Sequence, residues 1–132
     1  MVVDTSAILA ILQDEPEKGL FLDLLTASVD RLVSSANAVE LSMVVLSRRG
    51  EPGLEIKRDV LERLQIQTAP LMPDHVDLAV DAFRRYGKGR HKAALNLGDC
   101  FSYALAKATG EPLLFKGNDF AHTDIARAVP SP

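Results

Sequence analysis

A chain of 132 residues with 47% hydrophobic content is long enough to bury one core and too apolar to be disordered. Its net charge of -3, with a sequence pI near 5.6, excludes a generally basic nucleic-acid binder. The lone Cys100 precludes an internal disulfide and fits a reducing, cytoplasmic compartment, and no apolar run approaches the ~18 residues a membrane span needs.

In chain order, Met1–Asp4 reads as a short buried strand and Thr5–Gln13 as a helix capped by Asp4, Thr5 or Ser6. A strand opening at Met1, with a candidate ligand already at position 4, predicts no cleavable leader. The acidic break Asp14–Glu17 leads, through Pro16, into a helix running to about Ser28, with Leu20, Leu24, Leu25 and Phe21 on its apolar side. Arg31–Ser34 is a second strand. Ser35 is expected to cap a long helix that Gly50 stops at Arg49, and Pro52–Gly53 opens another to about Leu64. Ile66–Leu71 is a weak third strand. Pro73 starts a helix to Tyr86 with Val76, Ala79, Val80 and Phe83 on one face, and Gly87–Gly98 reads as a loop. Asp99–Thr109 is a helix ended by Gly110, Pro112–Phe115 a fourth strand and Ile125–Val129 a short fifth. Strands alternating with helices over residues 1–132 predict one α/β domain in three α/β/α layers around a short, mostly parallel sheet.

Four carboxylates stand in apolar surroundings. Asp4 ends Met1-Val2-Val3, and Glu40 lies in a helix whose neighbours three and four positions away are Ala36, Asn37, Met43 and Val44. Asp99 opens a run with no other charge through Ala106, and Asp119 follows the strand ending at Phe115. Taken singly, Asp4 could be a helix cap, Asp99 a first-turn partner of the helix dipole and Asp119 a turn residue. Glu40 has no such ordinary role, and a buried carboxylate is costly unless something positive neutralises it. Together the four fall at the carboxyl ends of parallel strands, where α/β sheets bind ligands. Oxygen-only ligands point to a hard cation, Mg²⁺ or Mn²⁺. Asp124 is a fifth candidate. Thr5 and Ser6 could orient a metal-bound water or cap the helix.

The segment Arg84-Arg85-Tyr86-Gly87-Lys88-Gly89-Arg90-His91-Lys92 holds five basic residues and no acid. It is either a solvated loop or, with Lys88, Arg90 and Lys92, a phosphate-holding one. His91 and His122 lack the spacing of a zinc site, His75 reads as an ordinary helix residue, and Cys100 as a small core residue.

These features together resemble the PIN domain, and in particular the VapC-type toxins of bacterial toxin–antitoxin pairs. The resemblance spans the chain and rests on Met1-Val2-Val3-Asp4-Thr5-Ser6-Ala7, on Glu40, on Leu97-Gly98-Asp99-Cys100-Phe101-Ser102-Tyr103-Ala104-Leu105-Ala106, and on Leu113-Leu114-Phe115-Lys116-Gly117-Asn118-Asp119-Phe120. It implies a metal-dependent ribonuclease in which Asp4, Glu40, Asp99 and Asp119 form an acidic quartet. Many relatives carry Thr and Asp where this chain has Phe115 and Gly117, which leaves the fourth acid to Asp119 or Asp124.

The resemblance further implies one or two Mg²⁺ ions held by Asp4 and Asp99, with Glu40 and Asp119 ligating directly or through water. An RNA substrate, a VapB-type antitoxin, a homodimer and a toxin–antitoxin hetero-oligomer are the implied partners. The apolar helices near residues 20–25, 39–46 and 54–64 are the expected contact faces. The rival reading is a PIN-like module that binds RNA or protein without cutting. A phosphorelay receiver is set aside because Ile66–Leu71 offers no Asp, and a haloacid-dehalogenase-type phosphatase because Asp4-Thr5-Ser6 lacks its second Asp.

Overall fold

The period-two pattern of the strands decides the layering. Val3, Val33 and Leu114 pack into one apolar cluster with Ile8, Phe21, Leu25 and Leu41, whereas Val2, Leu113 and Phe115 face a second cluster holding Leu95, Tyr103 and Phe120. The strands carrying Val2, Val33 and Leu113 are therefore buried on both faces. The computed structural model describes residues 1–130. It runs β1 (Val2–Val3), α1 (Thr5–Leu12), α2 (Lys18–Ala27), β2 (Leu32–Ser34), α3 (Ser35–Arg63), β3 (Gln67–Ala69), α4 (Pro73–Tyr86), α5 (Leu97–Thr109) and β4 (Leu113–Leu114), then a 3₁₀ turn at Phe120–His122.

The sheet order is β3-β2-β1-β4, all parallel, with Val2 in register with Leu32 on one side and Leu113 on the other. The α/β/α layering thus matches the expectation. β1 is central, so the residue leaving its carboxyl end, Asp4, emerges in the middle of the sheet edge.

Several local readings change. The expected fifth strand shrinks to one bridge, Leu113 with Arg127, closed by Leu113 N donating to Ala126 O and Ala128 N to Leu113 O, both within 2.9 Å. Gly50 breaks α3 as expected: at φ 67° and ψ -163°, a region essentially open to glycine alone, it is non-helical and divides the span into two helical segments that meet at a kink, the second running to Arg63. Ser35 does not cap it. Ser34 holds the N-cap position without a side-chain bond, and the Ser35 hydroxyl instead accepts from Leu71 N at 3.0 Å, pinning the exit of β3. The helix expected from Pro16 starts at Lys18. His75, read as ordinary, is buried, and its Nδ1 accepts from Met72 N at the start of α4.

The apolar face of α4 is the larger surprise. Ala79 is buried, but Val76, Val80 and Phe83 are 50%, 51% and 42% exposed. They line a cleft with Leu97, Cys100 and Phe101. On α3, Val39, Met43 and Leu46 are likewise exposed. Of the expected contact faces, the α3 stripe is thus open to solvent, whereas Phe21, Leu24 and Leu25 of α2 turn into the core. No helix among the described residues is long and apolar enough to cross a membrane.

Candidate active site

Each of the four acids reaches the carboxyl edge of the sheet by a different local device. Asp4 is both a buried carboxylate and the N-cap of α1. Its Oδ2 accepts from Ser6 N at 3.0 Å and from the Ser6 hydroxyl at 2.7 Å, and its Oδ1 accepts from the Ser102 hydroxyl at 2.5 Å. The cap alone needs one backbone donor. Three donors make Asp4 a fixed acceptor with little freedom to turn. Ser6 also ties this corner to the strand opposite, because its hydroxyl accepts from Lys116 N at 3.0 Å.

Asp99 sits in the first turn of α5. Asn96, not Asp99, opens the helix: Asn96 Oδ1 accepts from Asp99 N at 2.9 Å, and Asp99 Oδ2 accepts from Asn96 N at 3.0 Å. This reciprocal box holds the carboxylate over the helix start. Burial raises the Asp99 carboxyl, the Asn96 bond lowers it, and the charges of Asp4, Asp119 and Glu40 raise it again, to about 6 in all. The other three acids therefore all act on Asp99, which is the electrostatic signature of a converging cluster.

Glu40 is half-buried on the second turn of α3 rather than fully buried. Its carboxylate lies against the bare α-carbon of Gly98, where a Cβ would stand 2.4 Å from Oε2 and 2.7 Å from Oε1. Only glycine permits that approach. Asp119 is exposed at the N-cap position of the 3₁₀ turn and makes no capping bond there. Phe120, buried against Phe115 with ring centroids 5.1 Å apart, anchors that turn.

Asp124 faces elsewhere. It accepts from the Tyr103 hydroxyl at 2.7 Å and from Lys107 Nζ at 2.8 Å, with Arg85 at 3.5 Å. Partial burial opposes its charge, but the Lys107 and Tyr103 bonds and the cations Lys107 and Arg85 outweigh that and bring the carboxyl down to about 2. Its charge is already neutralised by this chain, and it is absent from the groups that act on Asp99.

The donor set is oxygen throughout. Thr5 Oγ1, next to Asp4, is buried without a hydrogen-bond partner among the described residues. An orphaned hydroxyl beside repelling carboxylates fits a hydrated cation. Among the described residues, however, no three His, Cys, Asp or Glu side chains are gathered into a closed metal shell. Mg²⁺ needs none, since it keeps several waters and takes one or two carboxylates directly. Cys100, one residue on, is buried, and burial with the Asp99 charge pushes its thiol up to about 11, so it is an unreactive core group.

The basic segment is ordered rather than loose. Lys88 N donates to Leu95 O and Leu95 N to Tyr86 O, both at 2.9 Å, so the loop is cinched just before Asn96 and α5. Arg84 and Arg85 are taken up by Asp81, whereas Lys88, Arg90 and Lys92 are exposed and form no ion pair among the described residues. Arg90 lies over the Phe83 ring, 5.5 Å from its centroid. His91 Nδ1 accepts from Ala93 N at 3.0 Å, and His122 is exposed.

The PIN domain model matches residues 1–126. Ribonuclease VapC30 of Mycobacterium tuberculosis is 50% identical over 126 residues, covering 96% of each chain, and Ribonuclease VapC of Mycolicibacterium smegmatis is 49% identical over 126 residues, covering 96% of this chain and 98% of that one. The chain belongs to the PIN-domain family, in its VapC ribonuclease branch. Among solved structures, the fold of this PIN domain is similar to Mycobacterium tuberculosis VapC20, described as a sarcin-ricin loop cleaving toxin, with TM-score 0.75, 17% identity and 98% of each chain covered. It is also similar to a chain of a toxin–antitoxin complex from Klebsiella pneumoniae, with TM-score 0.71 and 17% identity over 93% of this chain and 92% of that one.

The PIN domain also shows what the sequence reading passed over. Asn37, Gly98 and Ser102 all stand between the acids. Asn37 gave a signal, an amide on an apolar helix face one turn before Glu40. Gly98 and Ser102 stand in the run that carries the family resemblance, with nothing in it to mark their contacts with the acids.

Proposed function

We propose that this VapC-type chain is a metal-dependent endoribonuclease, the toxin of a toxin–antitoxin pair, with Asp4 and Asp99 holding Mg²⁺ or Mn²⁺ and Glu40 and Asp119 completing the acidic site. What supports the reading is the gathering of carboxylates at the sheet edge: the Asp99 carboxyl is held up first by its burial and further by the charges of Asp4, Asp119 and Glu40, and Glu40 rests against the bare α-carbon of Gly98 beside it. When bound, the ion supplies a more acidic water and offsets charge developing on the phosphate.

The chain's own residues do the rest. Asp4, oriented by Ser6 and Ser102, offers a fixed anionic edge with acceptor capacity left over. Below about pH 6 a cation would have to compete with a proton for Asp99, so cation affinity should weaken there. Asp119 is exposed and so open to a bound strand. Lys88, Arg90 and Lys92 hold flanking phosphates.

The decisive test incubates the antitoxin-free protein with structured and single-stranded RNA in Mg²⁺, Mn²⁺ or EDTA. Cleavage in either ion that disappears in EDTA is expected. A folded, ion-binding protein that cuts none of these RNAs argues for the non-cutting binding module instead.

The basic residues make a separate prediction. Replacing Lys88, Arg90 and Lys92 together with Ala should weaken RNA binding and flatten its log–log salt dependence by about 2, since each phosphate contact to a single strand contributes roughly 0.7. Mn²⁺ affinity should stay at the wild-type value. An unchanged salt slope removes these residues from the RNA path.

For partners, the VapC relationship supports an antitoxin, and the two exposed apolar stripes on α3 and α4 supply surface both for it and for a second copy of the chain. Solvent-facing Val, Met and Phe in contiguous rows mark contact faces rather than ordinary surface.

A further inference from the structure

Asn37 is 1% exposed, on the inner face of α3, among apolar residues. A buried amide is costly unless its groups are bonded, and an aliphatic side chain would fill such a position without that demand. Its Nδ2 donates to Gly98 O at 2.9 Å. Its Oδ1 stands 3.0 Å from Ser102 Oγ, and the single proton of that fully buried hydroxyl is shared between Asn37 Oδ1 and, on the shorter side, Asp4 Oδ1 at 2.5 Å. One amide therefore links the helix that carries Glu40, the turn that carries Asp99 and, through Ser102, the carboxylate of Asp4. Gly98 completes the link from the other side, because the Glu40 carboxylate rests on its bare α-carbon.

We propose that Asn37, Ser102 and Gly98 form a buckle that fixes the spacing of Asp4, Glu40 and Asp99 and so sets how tightly the site takes a divalent cation. The inference rests on the cation reading above. Like charges drawn together repel, and side chains free to move relax apart until a cation arrives. Whatever holds them in place beforehand removes that rearrangement from the cost of binding. Asn37 has no hydrogen bond to any of the four acids, so it is a positioning residue that acts through Ser102 and Gly98.

The test is Mn²⁺ binding to the purified full-length protein by titration calorimetry, for wild type, Asn37→Ala, Ser102→Ala and Gly98→Ala. Far-UV circular dichroism and Tm are taken in EDTA alongside. Each variant retains all four acids, yet the Mn²⁺ Kd should rise about tenfold or more, the range that partners behind the ligands of a metal site contribute. A purely structural role would lower Tm in EDTA and leave the Kd of the folded fraction alone. If Asn37→Ala does not fold, Ser102→Ala, which removes a single oxygen, decides. A folded Ser102→Ala with wild-type Mn²⁺ affinity overturns the buckle. Wild type that binds no Mn²⁺ overturns the cation reading and the buckle with it.

Discussion

Asp99→Asn should abolish RNA cleavage and, at the same time, make the ion-free protein more stable. The first effect follows from removing an expected cation ligand: a loss of about 10³-fold or more, corresponding to the several kcal/mol a catalytic ion supplies. The second follows from the direction of the Asp99 shift. Its folded-state carboxyl is raised from 3.8 to about 6 by burial and by Asp4, Asp119 and Glu40, despite the Asn96 bond. Between those values the folded chain holds a proton that the unfolded chain has released, so stability falls as pH rises from about 4 to about 6 and stays low above it. Asparagine cannot ionise, and its side-chain oxygen still accepts the Asn96 bond. At pH 7.5 in EDTA the variant should gain roughly 1–2 kcal/mol, or about 4–8 °C in Tm. At pH 4 the two proteins should melt together. Thermal melts at both pH values, paired with a cleavage assay, check both halves. A variant that loses cleavage but melts lower at pH 7.5 would mean that the acids do not repel one another as the geometry requires. Gains in stability on removing a functional charge are the usual mark of a strained active site.

The second large effect separates Asp119 from Asp124. Asp119 acts electrostatically on Asp99 and has no capping bond of its own, whereas Asp124 is engaged by Tyr103, Lys107 and Arg85. Asp119→Asn should therefore lower kcat/KM for RNA by roughly 10–100-fold, the range of groups that tune a metal site, with little change in Tm. Asp124→Asn should keep cleavage within about threefold, because it leaves the quartet intact, and should cost about 1 kcal/mol by weakening the bond from the Tyr103 hydroxyl. Side-by-side cleavage rates and urea melts distinguish the two. A larger cleavage loss in Asp124→Asn than in Asp119→Asn would reverse the assignment of the fourth acid.

The alternation of short apolar strands with amphipathic helices is enough to place β1, β2 and β4 and the helices between them, because burial on both faces of a parallel sheet leaves a strong apolar signal; β3, exposed at Gln67 and Thr68, is only weakly marked. Errors fell where a side chain had two possible uses. Ser35 looked like a cap and instead holds Leu71, whereas Gly50, read as a stop, does interrupt α3. A one-residue choice of cap costs little, so tertiary contacts decide it. Ile125–Val129 had strand composition, yet only Arg127 pairs, beside the β4 edge.

At the site, the candidate acids are legible in the residues. Asp4, Glu40 and Asp99 are carboxylates set among apolar neighbours in the sequence, where an unpaired charge is costly, so they stand out without coordinates. What the chain alone could not supply was distance. Asp119 and Asp124 lie five residues apart and look alike in sequence; folding turns one toward Asp99 and gives the other to Lys107 and Arg85. The α4 stripe reads as core by its period and lies open because no further layer covers it. Asn37, Gly98 and Ser102 carry no charge, and although Gly98 and Ser102 lie in a run that carries the family resemblance, their part at the site emerges only when α3, α5 and the end of β1 meet. The sequence determines which groups are available and on which element each sits. The packing of elements far apart in the chain decides which of them touch, because a hydrogen bond between residues 37 and 98, or 4 and 102, has no local signature.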